Sequence, residues 1–211
     1  MKYLSILIIV LIPVTIILIN ISILAKNYNF YLTIYKTQNI YNNFPNESIL
    51  DSATKNLIDY FRNKNILDQN YYSGQAQIHL KDVKYLLNIV SITSLIVITT
   101  VFFLNGLFVY KKELKRLTGS LVKGGLATII LTIIISAFLI FNFQGFFIDF
   151  HKIFFRNNYW LFDESDNLIK MFPERFFMYF SYVLIGNIII TSLVLILSAT
   201  IIRKINDKPH I

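Results

Sequence analysis

The sequence predicts an all-α membrane protein with four transmembrane helices and an extracellular cap of helices and loops. Three observations predict this fold class. The chain of 211 residues is 55% hydrophobic and only 15% charged, which is an apolar share above the usual range of soluble domains. Its apolar residues come in long runs instead of at the spacing of an amphipathic helix or strand. Four of these runs are long enough to cross a bilayer core of about 30 Å at about 1.5 Å per residue.

The first apolar run, residues 3–25, is the first expected span. A cleaved signal peptide is the competing interpretation of an apolar run in this position. The run is longer than the apolar region of a signal peptide, and Ile23-Leu24-Ala25 is a poor cleavage site. We therefore expect residues 3–25 to be a retained transmembrane helix.

Residues 26–84 are polar and contain no apolar run that could span a bilayer. Their clearest local element is an amphipathic helix over 47–62, for which Asn46 is a suitable N-cap. Its apolar face consists of Ile49, Leu50, Ala53, Leu57, Ile58 and Phe61. Such a helix packs as a lid or lies on the membrane surface, and we favour the lid. A loop over 63–74 precedes a helix that begins near Gln75 and continues into the second span, 85–110.

The positive charges predict the orientation. Basic residues crowd the connection 111–123, where Glu113 is the one acid, and they are Lys111, Lys112, Lys115, Arg116 and Lys123. By the positive-inside rule this connection lies in the cytoplasm. The third and fourth spans are expected over 124–141 and 176–202, and Lys208 follows in the tail. Four spans with this connection inside place both termini in the cytoplasm.

The same topology places residues 26–84 and 142–175 together on the outer side, where they form the cap. The net charge of +8 could suggest a nucleic-acid partner. The basic residues lie largely at the ends of apolar runs, however, where lipid headgroups account for them, so we expect membrane lipid and no nucleic acid as a partner. The chain has no cysteine, which excludes disulfides, a thiol nucleophile and cysteine-based metal sites.

The most informative stretch is 149–177, which connects the third and fourth spans. It holds one of the three histidines, the only tryptophan and a cluster of phenylalanines. Aromatic residues also gather at membrane interfaces simply as anchors, which is the alternative interpretation of this stretch. Connecting loops are usually short and polar, so a long aromatic connection is expected to pack against other parts of the protein.

Two histidines are expected on the outer side at similar depth. His79 precedes the second span and lies three residues before Asp82, so the two side chains can touch on one helix face. His151 follows the third span by about ten residues. His210 lies in the tail on the opposite side and is treated as inert.

Three chemistries suit such a histidine pair. In acyl transfer one neutral imidazole accepts a proton while the other stabilises an oxyanion or protonates the leaving oxygen. A metal site is disfavoured because no HExxH or similar spacing is present, and bis-histidine haem ligation usually lies within packed spans. The sequence also lacks a GxSxG motif and a glycine-rich phosphate loop. A non-enzymatic binding or assembly protein of the outer face remains the alternative from another class.

Two sequence motifs resemble the bacterial lipoprotein intramolecular transacylase family. The first is His79-Leu80-Lys81-Asp82-Val83, which resembles that family's His-x-x-Asp-Val motif before a span. The second comprises Phe150-His151, Phe155, Asn157, Trp160, Asp163, Leu168-Ile169 and Phe172-Pro173-Glu174-x-Phe176-Phe177. The resemblance covers essentially the full length, with departures at Glu164, where a proline is expected, and Asn167, where an acid is frequent.

The resemblance implies an acyltransferase of the bacterial plasma membrane with its active site at the outer face and no cofactor. Its substrate would be a diacylated lipoprotein whose N-terminal cysteine carries a diacylglyceryl group. The acyl chain would move from the glyceryl sn-2 oxygen to the α-amine of the same cysteine, which yields the lyso-form lipoprotein. Because nucleophile and ester belong to one molecule, the enzyme needs no nucleophile of its own.

The expected roles follow from that reaction. His151 is the main general base, and His79, oriented by Asp82, stabilises the oxyanion or protonates the leaving oxygen, although the two roles can be exchanged. Supporting residues are Asp82, Asn157, Trp160, Asp163 and Glu174, of which Asn157 and Trp160 would position the glyceryl group. Candidate walls of an aromatic substrate pocket are Phe150, Phe154, Phe155, Phe172, Phe176 and Phe177. A shared site requires the two histidines to lie roughly 3–8 Å apart.

Overall fold

The structure is a computed structural model that describes residues 1–206, and the described chain is entirely helical apart from turns and loops. The tail that carries Lys208 and His210 lies outside the described residues. Eight α-helices and one short 3-10 helix, Ile40–Asn43, follow each other along the described chain. The α-helices are α1 (Lys2–Leu24), α2 (Tyr28–Thr37), α3 (Glu47–Phe61), α4 (Gly74–Tyr110), α5 (Leu114–Phe141), α6 (Phe143–Phe154), α7 (Asn167–Met171) and α8 (Glu174–Asn206).

Within residues 1–206, four helices are long and apolar enough to cross a membrane, namely α1, α4, α5 and α8. They contain the four runs expected from the sequence, except that α1 ends at Leu24, one residue before the end of the first run. The main difference is at α5, which begins at Leu114, so only Lys111, Lys112 and Glu113 separate it from α4. Most of the connection predicted over 111–123 is therefore helical. The described chain divides into two compact units, which are described in turn.

The first unit contains residues 1–21, 90–140 and, of the described chain, 184–206. Its core is a cluster of apolar side chains from the long helices: Ile8, Ile12, Ile16, Val101, Leu104, Phe108, Leu117 and Ile188. Close approach of the helices depends on small residues, because a Cβ added at Gly124 would lie 2.8 Å from Ile12 Cβ. A Cβ added at Gly125 would lie 2.6 Å from Ile196 Cγ1. Membrane helices commonly approach each other at such small residues.

A stripe of small residues recurs every fourth position along α5, and its members are Ser120, Gly124, Thr128, Thr132 and Ser136. Each hydroxyl donates to the backbone carbonyl four residues earlier, for example Thr128 to Gly124 at 2.8 Å and Thr132 to Thr128 at 2.7 Å. These bonds satisfy the hydroxyl groups within α5 itself, so the stripe can pack closely without leaving a polar atom unpaired.

The second unit contains Ser22–Ile89 and Phe141–Val183. Helix α3 begins as predicted, because Asn46 Oδ1 accepts a hydrogen bond from Ser48 N at 2.9 Å. Five of the six predicted apolar positions of α3 are buried, whereas Ile49 is 42% exposed, so its inclusion in the buried face was wrong. Residues 63–73 form a loop as predicted, whereas Gly74, the last residue of the predicted loop, is the first residue of α4.

Three buried tyrosines extend the core of the second unit, and the hydroxyl group of each has a hydrogen-bond partner. Tyr35 is fully buried, and its hydroxyl lies 3.0 Å from that of Thr54. Tyr31 donates to the carbonyl of Ala25 and Tyr72 to that of Ala53, each at 3.0 Å. Most buried hydroxyl groups in proteins have such a partner, whereas the buried hydroxyl of Tyr71 has none among the described residues.

Candidate active site

His79 projects from the second turn of α4. The helix start is fixed by Ser73, whose Oγ accepts a hydrogen bond from Ala76 N at 3.1 Å. The His79 side chain is only 7% exposed, and its ring centroid lies 5.0 Å from that of Phe155 and 5.6 Å from that of Phe162. Its Nδ1 atom is buried and forms no hydrogen bond within residues 1–206.

His151 lies in the last turn of α6. That helix is capped by Asn142, whose Oδ1 accepts from Gly145 N at 2.9 Å. The Nδ1 atom of His151 lies 2.7 Å from the carbonyl oxygen of Phe147. A carbonyl can only accept, so Nδ1 carries the hydrogen and Nε2 of the neutral ring carries the lone pair.

The environment of His151 favours that neutral form. The side chain is 7% exposed, and burial lowers the pKa of the imidazole below its ordinary value of 6.5. The hydrogen bond to Phe147 acts in the opposite direction and raises the pKa by a smaller amount. The net result is an imidazole that is neutral at pH 7 and has a basic nitrogen at Nε2.

The two histidine rings lie side by side. Their centroids are 6.0 Å apart and their planes are inclined by 28°. This distance falls within the range expected for a shared site. Phe155 is buried against both rings, at 5.0 Å from His79 and 5.5 Å from His151.

Further aromatic side chains surround His151. The nearest are Phe147 and Trp160, with ring centroids at 4.2 Å and 4.9 Å, and Phe150 lies at 5.5 Å. Trp160, Phe150 and Phe155 were predicted as site residues from the sequence, and the structure brings them to the histidines. The rings enclose the imidazoles in an apolar environment, which strengthens electrostatic interactions made inside it.

Asp82 has a different partner from the one expected. Its Oδ2 accepts a hydrogen bond from Asn157 Nδ2 at 2.9 Å, while His79 Nδ1 is left without a partner among the described residues. Asn157 also accepts from Tyr159 N at 3.1 Å through its Oδ1. The pair therefore joins α4 to the segment that carries Trp160, and Asp82 does not orient His79 through Nδ1.

Several predicted residues lie elsewhere. Phe172 and Phe176 pack in the core of the second unit against Tyr31 and Tyr35, and their rings do not contact those of the two histidines. The sequence spacing of these apolar residues does not distinguish a position in the protein core from one in the wall of a substrate pocket. Phe177 reaches the site indirectly, through Phe147 at 5.1 Å.

The remaining three predicted residues are exposed. Phe154 is 52% exposed and contacts Phe150 at 4.8 Å. Asp163 accepts hydrogen bonds from the backbone and side chain of Ser165, which lower the pKa of its carboxyl group. Glu174 is in the first turn of α8, where a negative charge is favoured by the helix dipole. Asp163 therefore stabilises the turn at Ser165 and Glu174 the start of α8, and neither carboxylate forms a hydrogen bond or ion pair with His79 or His151.

Two site residues, Phe147 and Phe162, were missed in the sequence. Phe147 lies four residues before His151 and would have been found if α6 had been predicted as a helix, since positions i and i+4 share a face. Phe162 lies in a loop, and no local pattern distinguishes it from its neighbours. Within residues 1–206, no three histidine or carboxylate side chains converge as a metal-binding group would.

The fold and the site together define a multi-pass integral membrane protein in which two buried imidazoles lie side by side among aromatic rings. A family model described as lipoprotein intramolecular transacylase Lit matches residues 6–177 of the chain. The chain therefore belongs to the lipoprotein intramolecular transacylase family, and it is an acyltransferase of that family, as the sequence resemblance implied.

Solved structures agree with the fold. The chain is similar to the membrane-integral lipoprotein intramolecular transacylase Lit from Bacillus cereus, with a TM-score of 0.88 and 23% sequence identity, over 97% of this chain and 96% of that chain. Two variants of that protein, each with one histidine replaced, by arginine or by alanine, give TM-scores of 0.83 at 22% identity and cover 97% of this chain. The match covers 92% of the chain of the arginine variant and 94% of the chain of the alanine variant. A comparison with curated protein sequences gave no match.

Proposed function

We propose that this protein moves the sn-2 acyl chain of a diacylated lipoprotein from the glyceryl oxygen to the α-amine of the N-terminal cysteine in the same molecule. The observation that carries the proposal is the pairing of two buried imidazoles at 6.0 Å inside an aromatic enclosure. The reaction needs a base for the amine proton and a donor at the ester oxygens. Two imidazoles supply both functions near neutral pH.

His151 is the general base in this proposal. Its Nδ1–H is bonded to Phe147, so the lone pair of Nε2 is available to the incoming amine. The amine attacks the ester carbonyl carbon and forms the carbon–nitrogen bond. Its excess proton passes to Nε2, and the imidazolium that forms is transient.

His79 acts on the oxygen atoms. Its Nδ1 is a buried polar atom without a partner among the described residues, a state that costs about 1–3 kcal/mol. A substrate group that hydrogen-bonds to this atom recovers that cost, which favours binding. In the protonated-Nδ1 tautomer, the ring donates to the developing oxyanion or to the leaving glyceryl oxygen.

The proton balance is closed within the site. The amine nitrogen loses one proton, and the glyceryl oxygen gains one when its bond to the acyl carbon breaks. The proton can return from His151 directly or through His79, so no net proton is taken up or released. No enzyme nucleophile enters the sequence of steps, which agrees with the lack of cysteine in the chain.

The aromatic rings contribute by confining a flexible lipid. Holding amine and ester carbonyl in contact converts their encounter into an aligned intramolecular step, which can supply on the order of 7–11 kcal/mol. Phe150, Phe155 and Trp160 surround His151 and offer apolar surfaces to the glyceryl group and the acyl chain. In our proposal the site faces the outer side of a bacterial plasma membrane, with both termini in the cytoplasm.

The test is an assay with purified protein and a synthetic diacylated lipopeptide in detergent, read by mass spectrometry of the N-acylated product. His151→Gln and His79→Gln are each expected to slow product formation by roughly two to four orders of magnitude. His210→Gln is the matched control, since it removes the third histidine, and it should retain the wild-type rate.

Two results would contradict the proposal. The first is a wild-type protein that produces no N-acylated peptide, which would favour a binding or assembly role. The second is wild-type activity in both His79→Gln and His151→Gln, which would show that the acyl shift takes place without the imidazole pair.

A further inference from the structure

Three polar residues on one face of α4 meet the segment that follows α6. Gln75, His79 and Asp82 occupy positions i, i+4 and i+7, which lie above one another on a helix. His79 contacts Phe155 and Phe162, which flank residues 156–161. The two neighbours of His79 on this face, Gln75 and Asp82, hydrogen-bond to the segment between those phenylalanines.

Gln75 holds the C-terminal end of residues 156–161. Its Nε2 donates to the carbonyl oxygen of Leu161 at 2.7 Å and to that of Tyr159 at 3.3 Å. One amide group therefore bridges the backbone on both sides of Trp160. At the N-terminal end, Asn157 donates to Asp82 at 2.9 Å.

Residues 156–161 have little packing of their own. None of the six is buried, and Tyr159 and Leu161 are 44% and 56% exposed. A segment with few buried apolar contacts depends on its hydrogen bonds for position. Trp160, which lies between Tyr159 and Leu161, nevertheless has its ring centroid 4.9 Å from that of His151.

We propose that Gln75 is a positioning residue that, together with Asp82, clamps residues 157–161 to α4 and thereby holds Trp160 against His151. Gln75 acts through Trp160, because both hydrogen bonds of its amide group go to the backbone beside Trp160. The effect on rate rests on the proposed acyl transfer, while the effect on Trp160 is a property of the free protein.

The chain provides its own probe of this clamp, since Trp160 is the only tryptophan. Its emission maximum and its quenching by acrylamide report directly on the position of the segment. Gln75→Ala removes both hydrogen bonds, and Gln75→Glu keeps the size of the side chain while turning a carboxylate oxygen toward two carbonyl groups. Both variants are expected to shift Trp160 emission to longer wavelength and to increase its quenching by acrylamide.

Gln77 provides a matched control on the same helix. Its Nε2 donates to the carbonyl oxygens of Tyr72 at 2.8 Å and Gln69 at 3.4 Å, in a different segment. Gln77→Ala removes a glutamine amide of the same kind but should leave the emission and quenching of Trp160 unchanged. Circular dichroism and the thermal midpoint of each variant establish that it is folded before the comparison is made.

The activity readout separates the clamp from the acyl transfer itself. In the lipopeptide assay, both Gln75 variants are expected to lower kcat by roughly tenfold to a hundredfold, as for a displaced group near the reacting atoms. The proposal is overturned if folded Gln75→Ala and Gln75→Glu leave Trp160 emission and quenching at wild-type values, or if Gln77→Ala changes them equally. Those spectra are measured without substrate, so they decide the clamp even if the wild-type protein fails to transfer an acyl chain.

Discussion

The immediate surroundings of His151 hold its ring in the neutral form with the hydrogen on Nδ1. Burial lowers its pKa, and the carbonyl of Phe147 fixes its hydrogen on Nδ1. Because the unfolded chain binds a proton at His151 more readily than the folded chain, the free energy of unfolding falls as the pH drops below 6.5. The stability associated with this group is therefore fully present above that pH, where the imidazole is also neutral.

The first prediction concerns the titration of His151. A protonated imidazole quenches an adjacent indole, and the ring of Trp160 lies 4.9 Å from that of His151. Trp160 fluorescence should therefore fall with decreasing pH, with a midpoint below the ordinary value of 6.5. The same transition should be absent in His151→Gln. A midpoint at or above 6.5 would show that the imidazole is not as desolvated as the structure indicates.

The second prediction concerns Asp82 and Asn157. Asp82→Ala and Asn157→Ala remove the same hydrogen bond, so the double variant should be little worse than either single variant, with a coupling of about 1 kcal/mol. Asp82→Asn keeps an oxygen acceptor and should have the mildest effect. Reversible unfolding in mixed detergent measures the free energies of the wild type, the two alanine variants and their double variant, and also that of Asp82→Asn. Strictly additive losses would mean that the two residues act separately.

At the residue scale, the sequence was sufficient to predict the two histidines but not all of the side chains around them. His79, His151 and Trp160 were predicted because rare or reactive residue types fell on one side of the expected topology, and Phe155 was predicted from the family motif. The partner of Asp82 could not be found in this way, because the helix spacing of His79 and Asp82 shows only that contact is allowed. Asn157 lies in a loop, where the sequence spacing between residues does not show which way a side chain points.

Helix packing in the first unit depends on the small residues of α5. The third prediction is that Gly124→Ala lowers the free energy of unfolding by about 1–3 kcal/mol, because the added Cβ would lie 2.8 Å from Ile12 Cβ. Gly119→Ala is the matched control on the same helix, since no atom lies within 4 Å of its added Cβ. The control should leave stability unchanged or raise it, as alanine favours helix over glycine. Equal losses in both variants would contradict the packing argument.

At the element scale, the apolar runs predicted the long helices well and the short ones poorly. Helix α2 was missed because its tyrosines, threonines and asparagine resemble a polar connection, although three of its residues are buried. Helix α6 was missed because its phenylalanines are also typical of interfacial anchors. Helix α5 begins ten residues before the predicted third span, because Lys115, Arg116 and Lys123 interrupt the apolar run without ending the helix.

The fourth prediction tests the orientation of the whole molecule. The chain lacks cysteine, so single cysteines can be introduced without a background. Asn65→Cys in the cap should react with a membrane-impermeant maleimide on intact cells. Lys111→Cys between α4 and α5 should react only after the membrane is permeabilised, because the basic connection is expected in the cytoplasm. The reverse labelling pattern would overturn the proposed topology and the outer location of the site.

The hydrogen bond that fixes His151 has a consequence for the evolution of this site. The acceptor is a main-chain oxygen one helical turn away, and every residue type provides the same oxygen at position 147. The tautomer therefore tolerates substitution of the phenylalanine side chain as long as that turn of α6 stays helical. The position of the hydrogen on His151 can therefore be preserved through extensive sequence divergence, and no conserved side chain would reveal it in an alignment.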